Sequence, residues 1–254
     1  MKLAIMQPYF MPYIGYFQAI AAVDKYILYE NLTFIKDAWM NRNKLIQKDG
    51  IPFTITVPLL HKSSNTLISE VEVDNSQPWA NKLLKSLWLN YKGSEYFEEV
   101  YSLMENIFAD KYDTLHNLNS TSIKRISNYI GLTTEIISDN HNYLHFEEKL
   151  DKFDDYSIFP ELEKTKPIKK VARVIKMCKQ ENCDLFVNAI GGQVLYSKQE
   201  FSQYGIDIRF IKTDEKIQYK QFKNEFVPNL SIIDVLMHNG KEGTKQLLNA
   251  YKLI

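Results

Sequence analysis

The segment QPYFMPYIG at residues 7–15 has the composition of a ligand-binding loop. Pro8 and Pro12 restrict its backbone, and Gly15 permits close approach where a helix is predicted to begin. Backbone amides at a helix N-terminus bind phosphate, so a nucleotide phosphate is expected near Gly15 and Tyr16. The alternative is a rigid aromatic turn that closes the edge of a sheet. The candidate binding residues of this segment are Gln7, Tyr9, Phe10, Tyr13 and Gly15.

A second group of candidate residues lies between residues 30 and 43. In Asn41-Arg42-Asn43 a guanidinium group stands between two amides, and guanidinium pairs in a bidentate manner with phosphate or carboxylate. Trp39, Asn41, Arg42 and Asn43 are therefore candidate binding residues, and Glu30 is a candidate base. The alternative is an exposed turn with an ordinary surface arginine.

The C-terminal third of the chain contains two further candidate segments, Gly191-Gly192 and residues 219–231. Ser231 is predicted as a helix N-cap with Asp234 as the acid of a capping box, which would give both residues a structural role. The same helix start could equally receive a phosphate. The binding candidates here are Gly191, Gly192, Tyr219, Lys220, Gln221, Lys223 and Ser231, and the candidate bases are Asp234 and His238.

Charge and motif composition exclude several common classes of function. Lysine plus arginine equals aspartate plus glutamate, at 31 each, so no overall field attracts nucleic acid, although an aminoacyl-tRNA donor stays compatible with this balance. The chain has no Walker A loop, no GxGxxG after a strand and no GxSxG elbow, which disfavours common NTPases, dehydrogenases and hydrolases.

Neither a metal site nor a membrane segment is predicted. Cys178 and Cys183 have no second pair of ligands to complete a zinc site, and His141 and His145 are expected to be surface residues of a polar loop. No apolar run approaches the roughly 20 residues of a membrane span, and the N-terminal run stops at Gln7. The protein is therefore expected in the cytoplasm.

Short apolar runs alternate with helical patterns at both ends of the chain. This alternation predicts one α/β domain over residues 1–254, with a doubly wound, mostly parallel sheet that is Rossmann-like or HUP-like and a mainly helical insertion at about 76–166. Residues 139–166 are predicted to form a long surface excursion. Ligands bind such sheets at the carboxyl ends of the strands, where the candidate segments lie. The predicted strands are 3–6, 25–29, 53–59, 68–73, 134–138, 184–190 and 206–211, and the predicted helices are 16–23, one opened by Ser76, 95–108, 115–130, 168–181, 197–204 and one from Ser231.

Several of these segments together resemble the WbqC-like family over nearly the whole chain. They are AIMQPYFMPYIGYFQ at the N-terminus, NRN at 41–43, VP at 57–58, IGGQVLY at 190–196 and YKQFKNEFVPNLSIIDVLMHNG at 219–240. The resemblance implies association with gene clusters for O-antigen and related bacterial surface polysaccharides. It also implies modification of a nucleotide-linked amino sugar by addition of glycine or another acyl unit.

A fainter similarity is to the HIGH-type nucleotidyltransferases and pantoate–β-alanine ligases. PYIGY at 12–16 stands where the HIGH motif would be. Tyrosines replace both histidines that would steady the leaving phosphates, so ATP chemistry by that mechanism is in doubt.

The expected activity is formation of an amide between a small carboxylic or amino acid and the amine of a nucleotide-linked dideoxy-amino sugar. ATP and Mg²⁺ are expected if ATP activates the acid, and are not expected if a carrier delivers the acyl or aminoacyl group. The alternative is a non-catalytic or regulatory binder of a nucleotide sugar. The expected roles are Gln7, Tyr13 and Asn41 for the sugar or acyl group, Arg42 with Lys220 or Lys223 for the phosphates, and Glu30, Asp234 or His238 as the base.

Overall fold

Short apolar segments form a six-stranded sheet in the computed structural model, which describes residues 1–60, 65–144, 168–222 and 225–254. The strands are β1 (Lys2–Met6), β2 (Lys25–Leu28), β3 (Arg42–Ile46), β4 (Pro52–Thr56), β5 (Glu135–Ile137), β6 (Leu185–Ala189), β7 (Asp207–Thr213) and β8 (Tyr251–Leu253). The helices are α1 (Ile14–Ala21), α2 (Trp79–Tyr91), α3 (Phe97–Phe108), α4 (Leu115–Ile130), α5 (Lys169–Gln180), α6 (Lys198–Ser202) and α7 (Ile232–Leu247). Short 3₁₀ turns occur at Ile68–Glu70, His141–Tyr143 and Ile190–Val194.

The strand order of the sheet is β5-β2-β1-β6-β7-β8. All neighbouring strands are parallel except β8, which runs antiparallel to β7. The chain leaves β1 toward β2 and β5 and then returns to β6 on the other side of β1. The carboxyl ends of β1 and β6 therefore form a topological switch point, where ligands bind in open α/β sheets.

Alternate side chains of the strands face opposite sides of the sheet, as the period of two requires. Leu3 and Phe186 belong to a buried cluster that includes residues of α5 and α6. Ala4 and Val187 point the other way, into a larger cluster with α1, α2, α3, α4 and α7. The protein is thus α/β with helices on both faces of a mostly parallel sheet, which is consistent with a Rossmann-like fold.

Local sequence signals explain how the helices that surround the site begin and end. Thr114 caps α4 by accepting a hydrogen bond from the Asn117 amide at 3.2 Å. Gly131 ends α4 in the left-handed conformation, at φ 86°, as expected from its sequence position. Ser231 caps α7, also as expected, and its Oγ accepts from the Ile233 amide at 3.3 Å.

Three predicted elements are wrong in detail. The strand predicted at 53–59 is β4, and it pairs antiparallel with β3 in a separate two-stranded hairpin instead of joining the main sheet. Residues 68–73 form a 3₁₀ turn and isolated bridges, not a strand. Ser76 does not cap α2, which begins at Trp79, because the Ser76 hydroxyl bonds to Asp74 Oδ1 at 2.5 Å.

The predicted helical insertion at about 76–166 contains α2, α3 and α4, followed by β5, which pairs with β2 in the main sheet. Most of the predicted surface excursion lies outside the described residues. The antiparallel strand β8 was not predicted. In the described part of the chain, no helix has both the length and the hydrophobicity needed to cross a membrane.

Candidate functional site

A cavity of about 480 Å³ opens at the switch point between β1 and β6. Met6 and Ala189, the last residues of these two strands, form part of its wall. The loop between β1 and α1, the first turns of α1 and the residues around Trp39 supply most of the remainder. The lining residues are Met6, Tyr9, Pro12, Tyr13, Gly15, Tyr16, Ala19, Trp39, Asn43, Ala189 and Asn229.

Buried side chains from three distant segments hold the loop that precedes α1. The Asn43 amide donates to the carbonyl of Met11 at 2.7 Å, and the Ser231 hydroxyl donates to the same carbonyl at 2.8 Å. The Asn119 amide donates to the Pro8 carbonyl at 2.9 Å. Because these carbonyls have partners, the loop can pass through the interior without leaving polar groups unpaired.

Aromatic side chains dominate the cavity wall. The rings of Tyr9 and Tyr16 are 5.7 Å apart, and Trp39 is 45% exposed at the rim. Burial raises the pKa of Tyr9 and of Tyr13, so both hydroxyls stay protonated and can donate hydrogen bonds at neutral pH. Rings that also carry donors suit a flat base or a sugar face.

The N-terminus of α1 closes one end of the cavity. Tyr13 precedes this helix without making a side-chain capping bond. The Tyr16 amide donates to the Tyr13 carbonyl at 3.0 Å, and the amides of Ile14 and Gly15 have no intrahelical acceptors. A methyl group at Gly15 would lie 2.4 Å from Cε2 of Tyr13 and 2.8 Å from Oγ1 of Thr213. Glycine therefore lets α1 pack closely beside β7 while Tyr13 keeps its place in the wall.

A lysine lies beside the exposed tryptophan of the rim. The Lys44 ammonium is 5.8 Å from the centre of the Trp39 ring, within the range of a cation–π contact. The side chain of Lys44 is exposed. It is therefore available to an anionic ligand that enters past Trp39.

A glutamate–histidine pair lies at the same edge of the sheet, beyond the ends of β2 and β5. His116 Nδ1 is 3.1 Å from Glu30 Oε2, and His116 Nε2 is 3.0 Å from the Ser138 carbonyl. Burial, with a further contribution from Asp139, raises the pKa of Glu30 to about 7. Burial, with a further contribution from Lys124, lowers the pKa of His116 to about 4.

A second acid–histidine pair lies inside α7. Asp234 is fully buried, and its carboxylate accepts hydrogen bonds from Tyr91 at 2.8 Å, Tyr219 at 2.6 Å and Gln221 at 2.8 Å. His238 Nε2 is 3.7 Å from Asp234 Oδ1, and burial lowers the pKa of this histidine. The carboxylate joins α2, α7 and the segment before α7, so its contacts are those of a structural anchor.

The family model for the WbqC-like proteins matches residues 7–246 of the chain. The chain belongs to the WbqC-like protein family. The uncharacterized protein Rv1507c of Mycobacterium tuberculosis strain H37Rv is 27% identical to this WbqC-like chain over 248 residues, which cover 97% of each sequence. No solved structure matched the chain.

Five of the predicted binding residues of this WbqC-like protein come together in the cavity wall. They are Tyr9, Tyr13, Gly15, Trp39 and Asn43. They derive from two segments that are far apart in sequence, and the parallel sheet brings the ends of those segments to one edge, as predicted from the topology.

Other predicted binding residues of the first two segments lie outside the wall. Phe10 is fully buried in the core and Asn41 is 6% exposed, with its amide bonded to the Val57 carbonyl at 2.9 Å. Arg42 pairs with Asp37, through Oδ1 at 3.3 Å and through the Asp37 carbonyl. Gln7 contributes its carbonyl to the Tyr16 hydroxyl at 2.9 Å. Arg42 thus forms a local ion pair with the exposed Asp37, and its bidentate phosphate contact stays a prediction.

The remaining predicted residues have diverse positions. Gly191 and Gly192 form part of the 3₁₀ turn after β6, next to the wall residue Ala189. Lys220 is exposed, and Lys223 lies outside the described residues. Tyr219, Gln221 and Ser231 are engaged in the hydrogen bonds of the Asp234 cluster and of the loop before α1. The predicted capping-box role of Asp234 is wrong, because Tyr91, Tyr219 and Gln221 occupy its oxygens.

Sequence reasoning missed His116, Lys44 and Asn229. His116 is separated from Glu30 by the hairpin and two helices, so no spacing rule could pair them. Lys44 directly follows the NRN segment in β3, so its place near Trp39 could have been suspected. Asn229 has a left-handed backbone at φ 58°, for which the Pro-Asn sequence was an available signal.

Proposed function

We propose that the switch-point cavity binds a nucleotide-linked amino sugar and that the protein forms an amide on the amine of that sugar, in the biosynthesis of O-antigen or a related surface polysaccharide. The observation that supports this most is the aromatic cavity at the carboxyl ends of β1 and β6. Membership of the WbqC-like family supports the biological setting. The proposal includes a cytoplasmic location and a HUP-like version of the Rossmann-like sheet.

The chemistry of the wall suits the parts of a nucleotide sugar. Trp39 and Tyr9 offer faces for the base or the sugar, and the Tyr13 hydroxyl is a donor for a sugar oxygen. The N-terminus of α1 and the Lys44 ammonium suit the diphosphate. A volume of about 480 Å³ is within the usual range of ligand cavities.

Amide formation needs a base and an activated carboxyl group. The base takes a proton from the sugar ammonium, and the free amine attacks the acyl carbonyl of a thioester or an ester. A carbon–nitrogen bond forms and the bond from the acyl carbon to sulfur or oxygen breaks. Of the two protons that the nitrogen loses, one leaves with the thiol or alcohol and the other passes to solvent.

None of the three predicted bases is among the lining residues of the cavity, and Glu30 is the most accessible of the three. Its side chain keeps 16% of its surface exposed at the carboxyl edge of the sheet, whereas Asp234 is fully buried. Tyr91, Tyr219 and Gln221 already donate hydrogen bonds to the Asp234 carboxylate, which no substrate can reach from solvent. His238 is packed beside Asp234 and shares its enclosure.

ATP and Mg²⁺ belong to one version of the proposal. In the part of the chain that the structure describes, the cavity wall contains no carboxylate, and no group of three or more His, Cys, Asp or Glu side chains could hold a metal ion. The described wall therefore does not fit a protein-bound Mg²⁺. A donor that arrives already activated makes the smaller demand on these residues.

The rival proposal is a binder or regulator that recognises the nucleotide sugar without turnover. It is favoured by one observation, that the described residues of the wall include no nucleophile of the kind that forms a covalent acyl intermediate. Direct attack by the sugar amine requires no such intermediate, so this observation is compatible with both proposals.

Mass spectrometry of reaction mixtures separates the two. The pure protein is incubated with a dTDP-linked 4-amino sugar and, in parallel arms, glycine with ATP and Mg²⁺, glycyl-tRNA, or acetyl and glycyl thioesters. The control substrate is the matching dTDP-sugar with a 4-hydroxyl group. Product from the amine alone supports the enzyme, and thermal stabilisation by the nucleotide sugar without product in any arm supports the binder. If the nucleotide sugar gives no product and no stabilisation, both proposals are ruled out.

A further inference from the structure

We infer that Glu30 and His116 share one proton and act as a single acid–base unit at the carboxyl edge of the sheet, with Glu30 as the base for the sugar amine and His116 as its positioning residue. The catalytic part of this inference rests on the proposed function. The shared proton rests on the geometry of the pair alone.

The carbonyl of Ser138 fixes the tautomer of His116. A carbonyl oxygen only accepts, so His116 Nε2, at 3.0 Å, must carry a hydrogen. In the neutral ring Nδ1 then bears a lone pair, and Glu30 Oε2 faces it at 3.1 Å. Nδ1 is buried and forms no hydrogen bond with the described residues, Glu30 included, so the approach of Oε2 to 3.1 Å is a contact between two acceptors. Two lone pairs at this distance call for a proton between them.

The pair is buried unequally. The side chain of His116 is 7% exposed and that of Glu30 is 16% exposed. The ring is therefore enclosed and fixed, whereas part of the carboxyl group can be reached from outside. A substrate amine would exchange its proton with Glu30, and His116 would hold the carboxyl group in one orientation.

Hydrogen bonds of neighbouring residues connect the two segments that carry the pair to the cavity wall. Glu30 follows Tyr29, whose amide donates to the carbonyl of the wall residue Met6 at 2.8 Å. His116 lies in the first turn of α4, one turn before Asn119, which holds the loop of the cavity wall through Pro8 at 2.9 Å. The acid–base pair and the proposed sugar site thus share their structural supports.

The charged groups that face the pair are Asp139 and Lys124 in the described residues. Asp139 raises the pKa of Glu30, and Lys124, which donates to Ser138 Oγ at 2.6 Å, lowers the pKa of His116. Both groups therefore favour the same arrangement, with the proton on the carboxyl group and the ring neutral. Such a pair exchanges its proton near neutral pH, which is the useful range for a general base.

NMR of the histidine ring nitrogens tests the shared proton without any substrate. The His116 signals are assigned by their loss in His116→Gln. In the wild type they should show Nε2 protonated and a small change near pH 7, as Glu30 titrates. In Glu30→Gln the new amide donates to Nδ1, so this change should vanish. The control is Glu135→Gln, which replaces an exposed acid at the amino end of β5 and should not alter the change in the His116 signals near pH 7.

A His116 signal that titrates as an ordinary imidazole near pH 6.5 in both the wild type and Glu30→Gln would overturn the inference. The same holds for a ring protonated on Nδ1 alone. These results do not depend on whether any product is formed, so they separate this inference from the proposed function.

The catalytic part is tested once a product has been detected. Glu30→Gln should lower kcat by about 100-fold or more and remove the acidic limb of the pH profile, and His116→Gln should lower kcat by about tenfold and shift that limb. KM for the nucleotide sugar should change little in either variant. Unchanged kcat and pH profile in Glu30→Gln would overturn the catalytic part. If the wild type gives no product but shows the expected NMR change, the proposed function is overturned and the shared proton is supported.

Discussion

Two acid–histidine pairs of this protein have the same residue types and opposite chemical situations. The Asp234 carboxylate is fully buried and accepts three hydrogen bonds, from Tyr91, Tyr219 and Gln221. Among the residues that the structure describes, the Glu30 carboxyl group has a single close partner, His116, and it keeps part of its surface exposed. Both acids are plausible bases by sequence. Their hydrogen-bond partners, and not their identity, distinguish an anchor from a reactive group.

The difference follows from where the donors are. Donors that converge on a carboxylate stabilise its charged form and occupy most of its lone pairs. A buried carboxyl group without such donors keeps its proton more readily, as shown by the pKa of Glu30, which burial raises to about 7. The Asp234 cluster should therefore matter for stability and the Glu30 pair for chemistry.

The largest effect is expected from Asp234→Asn. Asparagine has an NH₂ group in place of one carboxylate oxygen, so it cannot accept the hydrogen bonds of Tyr91, Tyr219 and Gln221 together, and at least one buried donor loses its partner. The free energy of unfolding should fall by about 3 kcal/mol, as measured by urea denaturation at pH 7. The control Asp207→Asn, at an exposed acid, should change it by less than about 0.5 kcal/mol. Similar values for the two variants would contradict the anchoring role.

Single substitutions in the other pair should reveal opposite dependences of stability on pH. Folding raises the pKa of Glu30 from 4.5 to about 7 and lowers that of His116 from 6.5 to about 4. The two effects nearly cancel in the wild type, because folded and unfolded pairs bind similar numbers of protons. The free energy of unfolding of His116→Gln should fall by about 1–2 kcal/mol as the pH rises from 4.5 to 7, allowing for partial solvation. That of Glu30→Gln should fall by a similar amount as the pH falls from 6.5 to 4.

Urea denaturation at several pH values between these limits measures both slopes. The sign follows from the charge that burial opposes: the remaining carboxyl group must ionise at high pH, and the remaining imidazole must become charged at low pH. The double variant should be nearly flat. Slopes of the same sign in the two single variants would show that the groups do not have these opposite shifts.

Gly15→Ala tests whether α1 must approach β7 closely for the cavity to form. The added methyl group would meet the Tyr13 ring and the Thr213 hydroxyl, so Tyr13 would have to move within the wall. Affinity for a dTDP-linked amino sugar should fall about tenfold, equivalent to about 1.4 kcal/mol. Gly93→Ala is the control, since a methyl group there meets nothing within 4 Å. Equal affinities in calorimetric titrations would show that the wall tolerates the shift.

The smallest effect is expected from Lys44→Gln. An exposed ammonium at the rim should contribute modestly to diphosphate binding, so affinity should fall about threefold at low salt and less at high salt. Lys92 provides the control, because its ammonium lies 4.3 Å from the Trp88 ring on α2, away from the cavity. Lys92→Gln should leave affinity and its salt dependence unchanged. An equal loss in both variants would indicate an effect of overall charge.

The sequence predicted the edge of the sheet that carries the cavity but not all of the residues that complete it. Apolar runs bounded by Pro and Gly located β1, α1 and β6, and the rule for parallel sheets then placed Tyr13 and Trp39 at one edge. Asn43 was predicted as a ligand contact, yet its amide holds the carbonyl of Met11.

The predictions that were wrong or missing concern how segments of the chain pair with each other. The strand predicted at 53–59 had the composition of a sheet strand, but its partner β3 lies just before it, so the two form a hairpin of their own. The pairing of His116 with Glu30 depends on how α4 packs against the ends of β2 and β5. Neither fact has a local signal, because both are properties of tertiary packing.

Calorimetric titration of a dTDP-linked 4-amino sugar into the wild type and Trp39→Ala tests the cavity as the ligand site most directly. Trp88→Ala is the matched control, since Trp88 is 42% exposed, much as Trp39 is at 45%, and each ring has a lysine beside it. The proposal predicts saturable binding to the wild type and to Trp88→Ala, and at least tenfold weaker binding to Trp39→Ala with an unchanged Tm. Equal affinity of all three proteins, or no binding by the wild type, would contradict it.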